Sequence, residues 1–256
     1  MNMPDLPDLG LELRDHVATL EIRRPPHNFF DKALVHQIAD ACAALDADPD
    51  CRAIVLCSAG KNFCAGADFS NRSGRDNVAA DLYAQAVRIF SATTPMVAAI
   101  QGAAIGGGLG LAVAADFRIA APEARFSANF TQLGFHPGFG LTHTLPRLLG
   151  QQQASLMFLT GRRIDGEEAA RIGLVDALAP LDSLRETAHA LAREIAANAP
   201  LAVASTRATL RQGLAAAVQA AVEHELAEQT RLFGTEDCRE GLRAAGARRA
   251  PVFTGR

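Results

Sequence analysis

The sequence predicts an α/β fold that gives way to a wholly helical C-terminal region. Three observations predict it. Apolar runs of strand length alternate with amphipathic runs of helix length from residue 16 to about residue 178. Two small-residue segments, Phe63-Cys64-Ala65-Gly66-Ala67-Asp68-Phe69 and Gln101-Gly102-Ala103-Ala104-Ile105-Gly106-Gly107-Gly108-Leu109-Gly110, each follow a strand-like run and lead into a helix-like one. From Asp182 onward only helical periodicity is left, punctuated by Pro200 and by glycines.

In order, residues 16–22 alternate apolar and polar side chains as a half-buried strand does, and Arg24-Pro25-Pro26-His27-Asn28 breaks the run. Asp31 is placed to cap a helix over 32–45, whose residues Leu34, Val35, Ile38, Ala41 and Leu45 share one face. Residues 53–57 read as a buried strand, 70–77 as a polar and mobile loop, 78–90 as a helix and 96–100 as a strand. A buried helix is expected over 109–115, a strand over 117–120 and a helix over 138–149. Helix and strand alternate again over 151–159, 166–172 and 174–178. Helices then fill 184–198, 201–213, 216–233 and 237–247.

Composition narrows the function classes. A chain of 256 residues with 49% apolar and 21% charged side chains has the balance of one large globular domain, or of a core with an appendage. A net charge of −3 argues against a global field for nucleic acid. No run approaches the roughly 20 apolar residues of a membrane span. The first ten residues are acidic with no basic side chain, unlike a secretory leader. Cys42, Cys51, Cys57, Cys64 and Cys238 form no CxxC pair and read as reduced, buried thiols, so the expected compartment is the cytoplasm. No metal site is expected.

The chemistry sits in the two small-residue turns. Side by side, they can aim two backbone N–H groups at one oxygen, which is how negative charge developing on a carbonyl is stabilised. Gly107 stands at the start of a helix, where unpaired N–H groups and the positive dipole end favour an anion. It is expected to lack a side chain so that a ligand can approach the backbone. A glycine-rich turn also cradles phosphate, but the spacing does not fit GxGxxG and no Lys-Ser/Thr follows. A structural glycine cluster is the further alternative.

More of the chain fits one pattern: Arg24-Pro25-Pro26-His27-Asn28, the two turns, Asp116 opening a D-x-R-I-A strand, and Pro146-Arg147-Leu148-Leu149-Gly150. Thr160-Gly161, residues 169–175 and Asp237-Cys238-Arg239-Glu240-Gly241 complete it. In these motifs and their order the chain resembles the crotonase superfamily, the enoyl-CoA hydratase/isomerase group, over nearly its whole length. The resemblance implies a ββα spiral core over 1–198 holding an acyl-CoA site. It implies a helical region over 199–256 that builds homotrimers, often paired into hexamers. It also implies an acyl-CoA thioester as substrate, with no separate cofactor. The oxyanion donors by position are the N–H groups of Ala67 and Gly107. Asn28, Phe29, Ala65, Asp68, Phe69, Gly106, Leu109, Gly110 and Phe130 fall where substrate binds; for Asp68, an N-cap or a bonded structural carboxylate is the plainer reading.

Hydratases of that group use two glutamates, and this chain has Gly110 and Phe130 in their places. Some isomerases and dehalogenases use a later aspartate, where Gly138 stands. Neither glycine nor phenylalanine transfers protons. Tyr83 and His136 are the candidates to replace them, with a half-buried core tyrosine and a supporting loop histidine as the plainer readings; His143 is a weaker third. The expectation is an enzyme stabilising a thioester enolate, with standard two-glutamate hydration disfavoured. Isomerisation, hydrolysis, decarboxylation or C–C cleavage are the alternatives within enzymes. A CoA-ester-binding paralogue without catalysis is the alternative outside them.

Overall fold

A computed structural model of the chain describes residues 6–67 and 75–256, the side chains of 75–79 excepted. The large sheet holds six strands in the order β1 (Leu9–Arg14), β2 (Val17–Ile22), β3 (Ala53–Ser58), β4 (Met96–Ile100), β6 (Phe117–Ala120) and β9 (Ala177–Leu178). Only the β1–β2 pair is antiparallel. A second sheet pairs β5 (Ala103–Ile105) with β7 (Arg125–Ser127) and β8 (Arg163–Asp165). Strand β4 passes directly into β5 through Gly102, and β6 passes through a short turn into β7. Each unit therefore contributes one strand to each sheet before a helix follows, which is the ββα spiral.

Both faces of the large sheet are covered, so β3 and β4 are buried along their whole length. On one face Val17, Val55, Cys57, Val97, Ala99 and Ile119 meet Leu184, Ala188, Ala192 and Ala196 of α6 (Leu184–Ala196). On the other, Leu20, Ile54, Leu56, Ala98 and Ile100 join α1 (Lys32–Asp46), α2 (Arg75–Ser91) and α3 (Gly107–Ala114). Asp31 caps α1 by accepting from Leu34 N–H at 2.9 Å, as its position in the sequence predicts.

Helix α4 (Leu141–Thr160) absorbs two predicted helices, with Gly150 at φ 74 and ψ 161 marking the break between them. After α5 (Gly166–Arg171) and α6 come α7 (Pro200–Leu210), α8 (Leu214–Phe233) and α9 (Glu236–Gly246). Helix α8 packs on α2 and α4, and α9 packs on the 3₁₀ turn Thr131–Leu133. No helix among the described residues is long and apolar enough to cross a membrane.

Four strands escape the sequence reading: β1, β5, β7 and β8. The last three have three residues each, too short for a period of two to register. The strand expected over 174–178 shrinks to Ala177–Leu178, because Leu174 and Val175 bond back to Ala169 and close the turn after α5. Helix α2 starts at Arg75, so the last part of the expected loop is helical; residues 70–74 lie outside the described residues.

Candidate active site

The two small-residue turns lie side by side through a single β-bridge, and a second bridge ties the first turn to Phe30. Cys64 pairs with Ala104: the Cys64 N–H donates to the Ala103 carbonyl at 2.8 Å, and the Ile105 N–H donates to the Cys64 carbonyl at 3.1 Å. Ala67 pairs with Phe30, whose N–H donates to the Gly66 carbonyl at 3.0 Å. The chains run so close that a Cβ on Gly66 would stand 3.0 Å from the Ile105 carbonyl oxygen. Gly106, at φ 57 and ψ −121, turns the backbone into α3 in a conformation side chains rarely adopt. Among the described residues, neither the Ala67 N–H nor the Gly107 N–H has a protein carbonyl as partner. Both belong to half-buried or buried residues.

Phenylalanine rings surround the start of α3. The Phe30 ring fills the direction in which a Cβ on Gly107 would point. Glycine at 107 is therefore required by packing against Phe30, rather than only by the approach of a ligand. Phe139 fills the same role at Gly110, its Cδ1 standing 2.7 Å from a notional Cβ. Beside Gly106 lie the Phe130 ring edge at 3.7 Å and Asn129 Oδ1 at 3.6 Å from its Cβ direction. Phe30 and Phe139 contact each other with ring centroids 5.7 Å apart, and Phe130 meets Phe135 at 5.8 Å.

The three positions that the sequence resemblance marks for an acid are thus occupied by packing. Gly110 is closed by Phe139, position 130 is itself an aromatic, and a Cβ on Gly138 would collide with Tyr83 Oη and stand 2.6 Å from Gln229 Nε2. The Tyr83 hydroxyl donates to Gln229 Oε1 at 2.7 Å, and Gln229 Nε2 donates to the His136 carbonyl at 2.9 Å. Burial pushes the Tyr83 phenol up, and the Glu225 carboxylate adds to the shift. Tyr83 therefore holds its proton tightly and spends it on Gln229.

Glu225, one turn before Gln229 on α8, is fully buried. It accepts from Gly140 N–H (2.8 Å), Thr142 N–H (2.9 Å) and the Thr142 hydroxyl (2.6 Å), capping α4 in place of a side chain at Gly140. The His136 ring packs edge-on against His224 of α8, with centroids 5.8 Å apart. Its Nδ1 lies 2.9 Å from the Pro137 carbonyl, which can only accept, so Nδ1 is the donor in this contact. Cys64, beside the donors, is no nucleophile, since burial pushes its thiol up to about 12.

Other residues singled out from the sequence fall into three groups. Asn28 is fully buried at φ 50, and its side chain serves the fold: Oδ1 accepts from Arg24 N–H at 2.9 Å, and Nδ2 donates to the Ala59 and Asn62 carbonyls at 2.8 and 2.7 Å. Phe29 stacks on His27 at 5.0 Å, Ala65 donates its N–H to the His27 carbonyl at 3.0 Å, and Leu109 is buried in the core. Asp68 and Phe69 lie outside the described residues. The sequence reading passed over Phe30, Asn129, Phe139, Glu225 and Gln229. Phe139, between two glycines next to the empty acid position, was the one with a visible signal.

The fold and the paired small-residue turns are those of a CoA-thioester enzyme class. The sequence model of the enoyl-CoA hydratase/isomerase family matches residues 12–256, and the chain belongs to that family of lyases and isomerases acting on CoA thioesters. It is 35% identical to an (E)-benzylidenesuccinyl-CoA hydratase of Thauera aromatica, over 96% of this chain and 98% of that one. It is 33% identical to a probable enoyl-CoA hydratase, echA8, of Mycobacterium bovis, over 96% and 97%. Among solved structures, an enoyl-CoA hydratase/isomerase from Pseudoalteromonas atlantica superposes with a TM-score of 0.87 at 31% identity, covering 96% of this chain and all of that one. An enoyl-CoA hydratase from Mycobacterium avium subsp. paratuberculosis gives 0.88 at 28%, covering 98% and 100%.

Proposed function

We propose that the Ala67 and Gly107 N–H groups receive the thioester oxygen of an acyl-CoA and stabilise the enolate formed from it, in a reaction other than two-glutamate hydration. The observation that carries this reading is the aromatic closure of the acid positions: Phe139 against Gly110, Phe130 itself, and Tyr83 against Gly138. Water cannot be held between two carboxylates where none exists and where the space for them is filled. Enolate stabilisation needs only the two donors, each typically contributing about 2.7–4 kcal/mol to the transition state. His136 is the better candidate for proton transfer, because the Tyr83 phenol is pushed the wrong way. Phe29, Ala65 and Gly106 lie on the approach to the donors in this reading, with Leu109 packed behind them and Asp68 and Phe69 following on in sequence.

Isomerisation, thioester hydrolysis, decarboxylation and C–C cleavage all fit an oxyanion site of this kind. Incubation with a panel of acyl-CoA thioesters, followed by mass spectrometry, tests the proposal: turnover with loss or migration of a group supports it. Binding without turnover of any thioester supports the second reading, a CoA-ester-binding paralogue, which the aromatic surroundings of Gly107 and Gly110 also favour.

The proposed assembly is a homotrimer or a pair of trimers, built by 199–256. Helix α7 buries none of its residues within one chain, leaving Leu201 85% and Leu210 70% exposed. Light scattering at three or six times 27.0 kDa supports it, and a monomer at micromolar concentration refutes it. The proposed compartment is the cytoplasm, in keeping with five free, buried cysteines.

A further inference from the structure

Phe139 sits at φ 64, in the left-handed region that a bulky side chain enters only when its surroundings force it. The forcing groups are two buried side chains one turn apart on α8. Gln229 Nε2 holds the His136 carbonyl at 2.9 Å, and Glu225 holds the Gly140 and Thr142 N–H groups at 2.8 and 2.9 Å. The loop is pinned on both sides of Phe139. Its neighbours leave no slack: Tyr83 and Gln229 crowd Gly138, and Val218 Cγ1 would stand 2.8 Å from a Cβ on Gly140. The ring is thereby driven onto α3, against Gly110, with Phe30 at 5.7 Å and Phe90 at 6.4 Å. Gly107 and Gly110 are three residues apart and share one helix face. Phe30 and Phe139 together wall off that face.

We propose that Phe139 is the specificity-determining residue that sets the depth of the acyl pocket, restricting the enzyme to short-chain acyl-CoA thioesters. The proposal rests on the reading that the Gly107 N–H faces the thioester, since only then does the wall stand beside the acyl group. A longer chain running along α3 would need the volume the ring occupies, and the pinned loop cannot move the ring aside. Replacing Phe139 by glycine removes the ring and suits φ 64, so the backbone loses strain while the pocket deepens.

The test measures dissociation constants for saturated acyl-CoA thioesters, from acetyl to palmitoyl, by calorimetry on the wild type, Phe139→Gly and Phe139→Leu. In the wild type, affinity is expected to rise only over the first few carbons and then fall. In Phe139→Gly it should continue to rise, by about fourfold for each further methylene accommodated, with acetyl-CoA affinity little changed. Phe139→Leu should lie between them, and it carries the test if circular dichroism shows the glycine variant unfolded. Identical chain-length profiles, or wild-type affinity rising through palmitoyl-CoA, would overturn the role of Phe139 while leaving the acyl-CoA reading intact. Failure of all the proteins to bind any acyl-CoA overturns both.

Discussion

The Tyr83 hydroxyl stands where a side chain on Gly138 would have to begin, and it is held there by its hydrogen bond to Gln229 Oε1 at 2.7 Å. A tyrosine on α2 and a glycine some fifty residues later are thus complementary: one fills the space the other leaves. The pairing also explains why the hydroxyl is buried without cost, since a bonded phenol in an apolar site loses no hydrogen bond.

That complementarity predicts coupled substitutions. Gly138→Ala alone should cost about 1–3 kcal/mol of stability, the usual range for overpacking a close-packed site. Tyr83→Phe alone leaves Gln229 Oε1 without its donor and should cost about 1–3 kcal/mol. Together they should cost less than the sum, because removing the oxygen relieves the closest of the contacts the methyl group would make. Urea unfolding of the four proteins measures the coupling, and strict additivity would contradict the contact.

Hydration activity is the second expectation. Crotonyl-CoA hydration should be weak or absent, and turnover near roughly 10³ s⁻¹ would refute the inventory of acids. Glutamate cannot simply be restored. At position 110 it meets Phe139, whose Cδ1 lies 2.7 Å from the new Cβ. Gly110→Glu with Phe130→Glu is therefore expected to unfold or to stay inactive, whereas adding Phe139→Ala should recover a folded protein with measurable hydration. Spectrophotometric assay of the double and triple variants separates these outcomes.

The cysteines give a pH prediction with a definite sign. Burial pushes Cys42, Cys51 and Cys64 up to about 12 and Cys57 up to about 11. A raised thiol pKa means that the neutral form is the one the fold accommodates. Its stabilising contribution is complete below the unfolded value, roughly 8.5, and is lost as pH rises from there towards 11 to 12. The native protein at pH 8 should therefore react with none of its five thiols, and all five should titrate after denaturation. Rapid reaction of one native thiol would show that its site is open. Stability should fall on the alkaline side through this same window.

Much of this architecture could be read from local pattern. The cap at Asp31, the stripe of α1 and the apolar runs of β3 and β4 are written in side chains a few residues apart. The short strands β5, β7 and β8 are not, because three residues carry no period and their pairing is fixed only by the turns around them. At the site, the two glycine-containing turns and their approach to one another were legible. What packs against the glycines around them was not. Phe139 reaches Gly110, Tyr83 reaches Gly138 and Glu225 reaches Gly140 across spacings that only the folded chain defines. A positive φ at a phenylalanine is likewise imposed by tertiary contacts and leaves no mark in composition.

The proposed oxyanion donors permit the sharpest test, provided packing is separated from hydrogen bonding. Gly107→Pro removes the donor, and proline is tolerated at the first position of a helix. Yet any side chain at 107 meets the Phe30 ring, so loss of activity in that variant alone would be ambiguous. Trimming the ring resolves it. In a Phe30→Ala background, Gly107→Ala keeps the N–H and Gly107→Pro lacks it, while both carry a Cβ into the same vacated space. With a substrate identified by the thioester panel, the alanine form should retain turnover close to its Phe30→Ala parent. The proline form should fall by about 10²–10³ in kcat, the usual cost of one oxyanion donor. Binding of the CoA ester should weaken far less, since the donor acts most strongly on charge that appears only in the transition state. Circular dichroism on both forms confirms that the comparison is between folded proteins. Equal kcat for the two would remove Gly107 from the chemistry.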